Sequence, residues 1–540
     1  MDRYTKKNLR SQLFQHLDGI AICSTISVLF KSKVFEYILK NHIFSIKDLI
    51  VKFKANSGYF NIAFRLLASQ GWIINSGTNT KDDIEYKLTS KGKKIIGYAK
   101  YYHLFSKSIP LFNKIKYNIF ENKQNIEYEH IQTLIEELNS LSNTKTENDY
   151  VKSEVLLHLE GLLVGPVLVA TGMCNYFNDL ITSKNDLDIK RLSNEAPGFK
   201  IISDIFLYLK FFKIIDGKYY FSEKGIFFIK RSSAYGVTVS YLPTFEKIYN
   251  LLFDNPSILW NRGKDDIELH VDRTMNVWGS GGAHTLYFKK IDKIIIDVFN
   301  QPIEDQPIGI ADMGCGDGTF LKHLYNVVLN KTLRGDLIKD FPLEIIGADF
   351  NKAARLASKI TLQNANIKHF ILAADISNPE AFAEDLKNKN NLLLENMLNV
   401  RSFLDHNRIY KFQKNKNLKN KCDSTGAFAY RGRWVPNTEL KQNLIEHFES
   451  WFKYVRKYGL LILELHTIDP EKISRNLGST ATTAYDSTHG YSDQYIVEVK
   501  TMLEAALEAG LESINKHRIN FPSDNLPNVS INLLKSKISK

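Results

Sequence analysis

At 540 residues, 44% hydrophobic and 24% charged, the chain has an ordinary globular composition, ample for several cores and long enough for roughly three or four domains. The 71 Lys and Arg against 59 Asp and Glu leave a net charge of +12, but the lysines are dispersed among Asn and Ile with no dense basic block. That pattern reads as a lysine-rich surface, so a nucleic-acid partner is not expected, while an acidic carrier protein is compatible with it. Cys23, Cys174, Cys315 and Cys422 stand alone with no C-x-x-C pair, which excludes a disulfide framework or a thiolate zinc site and fits a reducing cytosol.

The chain opens on MDRYTKKNLRSQLF, charged and unlike a signal peptide. The two most apolar runs, IAICSTISVLF and LLVGPVLVATGM, fall short of the roughly 20 residues that crossing a bilayer requires. A cytoplasmic protein with no membrane partner is expected. The first half repeats itself: HLDG from His16 matches HLEG from His158 at an offset of 142, an offset that also carries Phe35 to Phe177. Further on, Gly92, Pro110 and Phe112 match Gly225, Pro243 and Phe245 at an offset of 133, so the first copy holds nine extra residues, assigned to the region of NSGTNTKDDIE.

In each copy, amphipathic helices such as SIKDLIVKF and NIAFRLLASQGW precede a short β pair, WIINSG with EYKLT and KIIDG with YYFSE. Helices followed by a hairpin predict a winged-helix-like module. Its candidate recognition helices, NIAFRLLASQGW and KIISDIFLYLKFF, are rich in Leu, Ile and Phe and poor in Arg, so they read as packing helices rather than groove readers. The expected organisation is repeat 1 over 1–120, a polar linker helix over 121–150, repeat 2 over 151–265 and a C-terminal α/β domain over 266–540. Repeat 2 serves either dimerisation, giving a homodimer, or as a lid over the site; both readings stay open.

The C-terminal half opens with MNVWGSGGAHTLYF, where Trp278 and Gly279 either close over a ligand or mark a hinge. In IGIADMGCGDGTF an apolar strand runs into Asp312, Gly314, Gly316 and Gly318 before the helical FLKHLYNVVL. A dinucleotide fingerprint would need its third Gly at 319, where Thr319 stands. The acidic-x-G-x-G-x-G spacing instead resembles the S-adenosylmethionine (SAM) motif of class I methyltransferases. LEIIGADF ends a second strand at Asp349 and Phe350, with Asp349 able to accept from both ribose hydroxyls. HFILAADIS ends a third at Asp375 and Ile376, which in the resembling fold meet the adenine. Strand and helix alternation with acids at the strand ends predicts a doubly wound, Rossmann-like sheet whose cofactor lies along that edge.

VRSFLDHN ends a fourth strand at Asp405 and His406, and LLILELHT a fifth at Glu464 and His466. Asp405, His406 or His466 is the candidate proton acceptor. Beyond them AYDSTHGYSDQY gathers two Asp, a His and a Gln into a Gly-broken segment that reads as a metal or substrate cup.

These stretches, with HVDRTMNVWGSGGAH, GRWVPNTELKQNL and FPSDNLPNVSINLLK, resemble across essentially the whole chain the polyketide-pathway methyltransferases typified by the apratoxin loading module. That resemblance implies C-methylation of a malonyl-type group held on an acyl carrier protein. It further implies a mononuclear iron or manganese ion, with His489 and Gln494 as the matching ligand positions. Such a cation would act as a Lewis acid on the developing enolate. The alternative is a metal-free O-methyltransferase of a small hydroxylated metabolite, and a free small-molecule acceptor fits either reading.

Overall fold

The computed structural model describes every residue except 81–82, 123–127, 145–149, 184–185, 265–266, 412–421 and 538–540, together with the side chains at 78–80, 182–183 and 283–285. The region assigned to the extra residues of repeat 1 and the flanks of the polar linker therefore lie partly outside the described residues. Two compact units emerge: Met1–Ala283 with Ala427–Trp434 and Asp469–Asp493, and His284–Gly426 with Val435–Ile468 and Gln494–Lys540. The boundary falls within the Arg273–Phe299 helix, beyond the expected division at 265/266.

The first unit is built on two long helices, Arg3–Lys31 and Tyr150–Met173. Asp2 caps the first by accepting from the Thr5 N–H at 2.9 Å. The apolar runs judged too short to cross a membrane belong to these longer helices of 29 and 24 residues; 78% of the most apolar window of each is buried in the protein. The HL-acid-Gly motif is where they touch. A Cβ on Gly19 would lie 2.2 Å from His158 Cα, and one on Gly161 would lie 2.3 Å from the His16 carbonyl oxygen. Each glycine thus admits the other helix's backbone. The flanking histidines reach across in the same reciprocal way: His16 Nδ1 shares a 2.8 Å hydrogen bond with Tyr235 Oη, and His158 Nδ1 shares one of 2.8 Å with Tyr102 Oη.

Both expected β pairs form, Ile73–Thr80 with Asp83–Leu88 and Phe212–Ile215 with Lys218–Phe221, each antiparallel. A helix follows each: Ser90–Ile96, where Thr89 Oγ1 accepts from the Gly92 N–H at 3.0 Å, and Glu223–Ile229, where Ser222 Oγ accepts from the Gly225 N–H at 3.0 Å. These caps explain why the repeated glycines align.

The second unit holds a sheet whose strands are β1 (Gly309–Met313), β2 (Glu344–Asp349), β3 (Phe370–Ala373), β4 (Met397–Ser402), β5 (Leu460–Leu465), β6 (Leu511–Ser513), β7 (Ile519–Phe521) and β8 (Val529–Ser536). The order is β6-β8-β5-β4-β1-β2-β3, with β7 beside β8. Strands β1 to β5 are mutually parallel, whereas β8 runs antiparallel to both β5 and β6. Every residue of β1 and β5 is buried, as strands covered on both faces must be. The order reverses between β1 and β4, the point where a doubly wound sheet opens a crevice at its carboxyl edge. This is the predicted α/β architecture.

Candidate active site

The carboxyl edge of the second unit begins with the turn after β1. Gly314, Gly316 and Gly318 all adopt positive φ, at +82°, +53° and +81°, conformations that disfavour any residue with a Cβ. A Cβ on Gly318 would press within 2.7 Å of Ser358 Oγ and 3.0 Å of its Cα, whereas one on Gly316 would meet nothing within 4 Å. The turn therefore closes on the protein at one glycine and faces open space at the next.

Asp312 is buried, and its Oδ1 has no hydrogen-bond partner among the described residues. Burial, reinforced by the neighbouring Asp349 charge, pushes its pKa well above the usual carboxylate range. Asp349 ends β2 and accepts from the Gly316 N–H at 3.1 Å and the Asn351 N–H at 2.8 Å. Beside it Phe350 is 81% exposed. Asp375 accepts from the Ser377 N–H at 2.8 Å, and the carbonyl of Ile376 accepts from Trp451 Nε1 at 2.8 Å. A buried orphan carboxyl oxygen, an open glycine cradle and a bare aromatic face fit a bound SAM: each is a cost or vacancy that a nucleoside with polar substituents would relieve.

His406 stands on the short turn Asp405–Asn407 after β4. Its Nδ1 lies 2.6 Å from Glu464 Oε1, on β5. Glu464 also accepts from the backbone N–H of Leu465 at 2.6 Å and of His406 at 3.3 Å. An imidazole nitrogen facing a carboxylate carries the proton, which leaves the lone pair on Nε2, where the Asn407 amide nitrogen sits at 3.1 Å. This is a base held in one tautomer.

The other two candidates are engaged elsewhere. Burial acts to raise the Asp405 pKa, but Arg401 at 2.5 Å and His447 at 2.9 Å outweigh it and hold the carboxyl well below the usual range. So weak a base cannot take a proton from carbon or hydroxyl, and Asp405 instead anchors the turn beneath His406. His466 is fully buried, with Nδ1 against the Val497 carbonyl at 2.9 Å and Nε2 against Ser530 Oγ at 2.7 Å. Both ring nitrogens tie β5 to its surroundings, as both of His406 are engaged by Glu464 and Asn407; what distinguishes His406 is the carboxylate against its Nδ1. Arg401 and His447, which fix Asp405, went unnoticed in the sequence; a buried charge on an apolar strand was the available signal.

The remaining expected residues fall in other settings. Trp278 and Gly279 are helical, not a loop, and their described contacts lie within the first unit. A Cβ on Gly279 would meet Val237 N at 2.6 Å, and one on Gly172 would meet Trp278 Cη2 at 3.0 Å. The cup read from AYDSTHGYSDQY is largely the buried helix Thr482–Gly490 of the first unit. There the Nδ1–H of His489 faces the Tyr485 carbonyl at 2.9 Å, so Nε2 keeps its lone pair, the tautomer of a metal-ligating histidine. Gln494 opens the last segment of the second unit. Among the described residues no group of three or more His, Cys, Asp or Glu side chains gathers to hold a metal ion.

Family profiles match three segments of the chain: the AprA N-terminal domain over residues 9–75, the AprA winged helix domain over 160–255 and the AprA MT2-like domain, a methyltransferase, over 268–532. No curated protein matches the chain in sequence. Among solved structures, the human N-acetylserotonin methyltransferase in complex with SAM is 13% identical with a TM-score of 0.38, covering 73% of this chain and 100% of its own. The CurJ carbon methyltransferase is 11% identical with a TM-score of 0.33, covering 76% of this chain and 98% of its own. The O-methyltransferase NcsB1 from neocarzinostatin biosynthesis, in complex with SAM and 2-hydroxy-5-methyl naphthoic acid, is 11% identical with a TM-score of 0.41, covering 69% and 96%.

Proposed function

Because the chain belongs to the AprA-type family and is a SAM-dependent methyltransferase, we propose that it methylates the carbon of a malonyl-like or β-dicarbonyl acyl group held on an acyl carrier protein in polyketide or other secondary metabolism. The observation that supports this reading most is the His406–Glu464 pair. SAM supplies an electrophilic methyl group and asks no acid of the protein; a carbon acceptor must first lose a proton. The Nε2 lone pair of His406 takes that proton, and the Glu464 carboxylate holds the ring and stabilises the resulting imidazolium. The glycine turn, Asp349, Phe350 and Asp375 hold the donor, and Asp312 beneath the turn satisfies its spare oxygen there. The test is purified enzyme with SAM and malonyl- or acetoacetyl-carrier protein, read by intact mass. A carrier mass increased by one methylene is expected, and an unmodified carrier alongside a methylated free hydroxy compound would overturn the carbon assignment.

A metal-assisted form of the reaction would place iron or manganese on His489 and Gln494. Such a cation would supply Lewis-acid stabilisation of the developing enolate. Metal analysis decides the matter: stoichiometric iron or manganese lost in His489→Ala supports it. The His406–Glu464 pair also serves a second reading, O-methylation of a small hydroxylated metabolite, in which His406 deprotonates a hydroxyl.

A further inference from the structure

The two repeats of the first unit share a buried lysine, Lys91 and Lys224, whose surroundings differ. In repeat 1, Lys91 Nζ lies 2.6 Å from Glu154 Oε2 and donates to the Gln70 carbonyl at 2.8 Å. Trp72 Nε1 donates to Glu154 Oε1 at 3.1 Å, and Gln70 Nε2 reaches Asp18 Oδ2 at 3.3 Å. Lys91 and Glu154 are thus paired, while Asp18 Oδ1 and Gln70 Oε1 are buried without a partner among the described residues.

Around Lys224, the counterpart of Lys91, stand Glu160 for Asp18 but Gln12 for Glu154, and Phe211 for Trp72 with Leu209 for Gln70, since the Phe211 carbonyl meets Gly225 and accepts from the Ser222 N–H as the Trp72 carbonyl meets Gly92 and accepts from the Thr89 N–H. The three exchanges remove the carboxylate from the lysine and the amide from the acid. Among the described residues Lys224 Nζ has no hydrogen bond and no ion pair, only the Phe211 ring with its centroid 5.6 Å away. Glu160 keeps a 3.3 Å hydrogen bond from Tyr208 Oη and a 3.9 Å approach to His16 Nε2, and Gln12 Oε1 is buried without a partner. Burial depresses the pKa of Lys224 and raises that of Glu160, each shift opposed by the charge of the other. Lys224 and Glu160 line a cavity of ≈ 700 Å³, with Lys210, Tyr208, Gln132 and Glu136 on its walls.

We propose that this cavity binds a zwitterionic small molecule, a free amino acid or a short peptide, with its carboxylate against Lys224 and its ammonium against Glu160. Lys224, without an ion pair, and Glu160 have opposite sign, and a ligand carrying both signs gives Lys224 the carboxylate that Lys91 receives from Glu154. Ile135, Leu207 and Leu209 offer the body of such a ligand an apolar patch on the same wall.

The experiment uses the full chain with S-adenosylhomocysteine saturating the methyl-donor site, so that amino acids cannot register there. The free amino acids and a set of dipeptides are screened at millimolar concentration by ligand-observed NMR, and the best of each arm is measured by calorimetry. At least one probe is expected to bind, about tenfold or more weakened by Lys224→Met and by Glu160→Gln. Its N-acetyl and carboxamide forms are expected to fail against the unmodified chain, a comparison that needs no variant to fold. Which arm binds separates the two ligand sources. Failure of every probe, or binding indifferent to both variants and to capping of the ligand, overturns the proposal without touching the methyl-transfer assignment.

Discussion

The imidazole of His406 gains its role from a partner 58 positions away, since Glu464 on β5 fixes which nitrogen carries the proton. His406→Ala is expected to lower turnover by about 10²–10⁴-fold with SAM affinity retained, measured by calorimetry beside the methylation assay. Glu464→Gln removes the charge and keeps the shape; a fall in kcat with an unchanged KM for SAM is expected, and an unaltered kcat would strip Glu464 of its orienting role. Gly318→Ala should abolish SAM binding, because the new Cβ meets Ser358 and the residue must hold φ at +81°. The glycines and the strand-end acids Asp312, Asp349 and Asp375 were legible in the sequence, because their spacing and the buried strand before them are local facts. The choice among Asp405, His406 and His466 was not. It depends on side-chain partners that spacing does not assign: Arg401 and His447 on Asp405, Glu464 on His406, and Val497 and Ser530 on His466.

At the scale of elements, the segment from Ala484 looked like a loop because its polar residues outnumber its apolar ones. Those polar groups are met instead by the rest of the first unit: Arg65 Nε donates to Asp486 Oδ2 at 2.9 Å, and Ser487 Oγ donates to the Ala21 carbonyl at 2.9 Å. A helix buried on all sides hides its periodicity. The crossing of the Arg3–Lys31 and Tyr150–Met173 helices makes two sharper predictions. Gly161→Ala forces a methyl into the His16 backbone and should destabilise the protein by at least the roughly 1–3 kcal/mol typical of overpacking, read from chemical denaturation. His16 and His158 are each driven by burial from 6.5 down to about 3. Between those values the unfolded chain binds protons that the native one refuses, so stability rises with pH across the window and falls as the medium is acidified. Each histidine contributes a slope of about 1.4 kcal/mol per pH unit there, and His158→Gln should remove one such contribution from the pH dependence of unfolding.

On the scale of the whole chain, the duplication was visible as two fixed offsets, but nothing in a linear repeat reveals that its copies trade contacts. The first unit is one continuous core in which the Phe, Tyr and Leu side chains of both repeats are buried together. Division of the chain between the Tyr128–Asn143 and Tyr150–Met173 helices should therefore give two fragments that are insoluble alone and co-purify when expressed together; an independently folded N-terminal fragment would contradict this.

The exchanged hydrogen bonds, His16 with Tyr235 and His158 with Tyr102, bind the fate of the two coding segments. Neither copy carries the mate of its own histidine, so a substitution in one is felt first in the other. Twin segments of this kind cannot drift apart freely in descendants: at these four positions they are bound to vary in concert, each acting as the selective environment of its sibling.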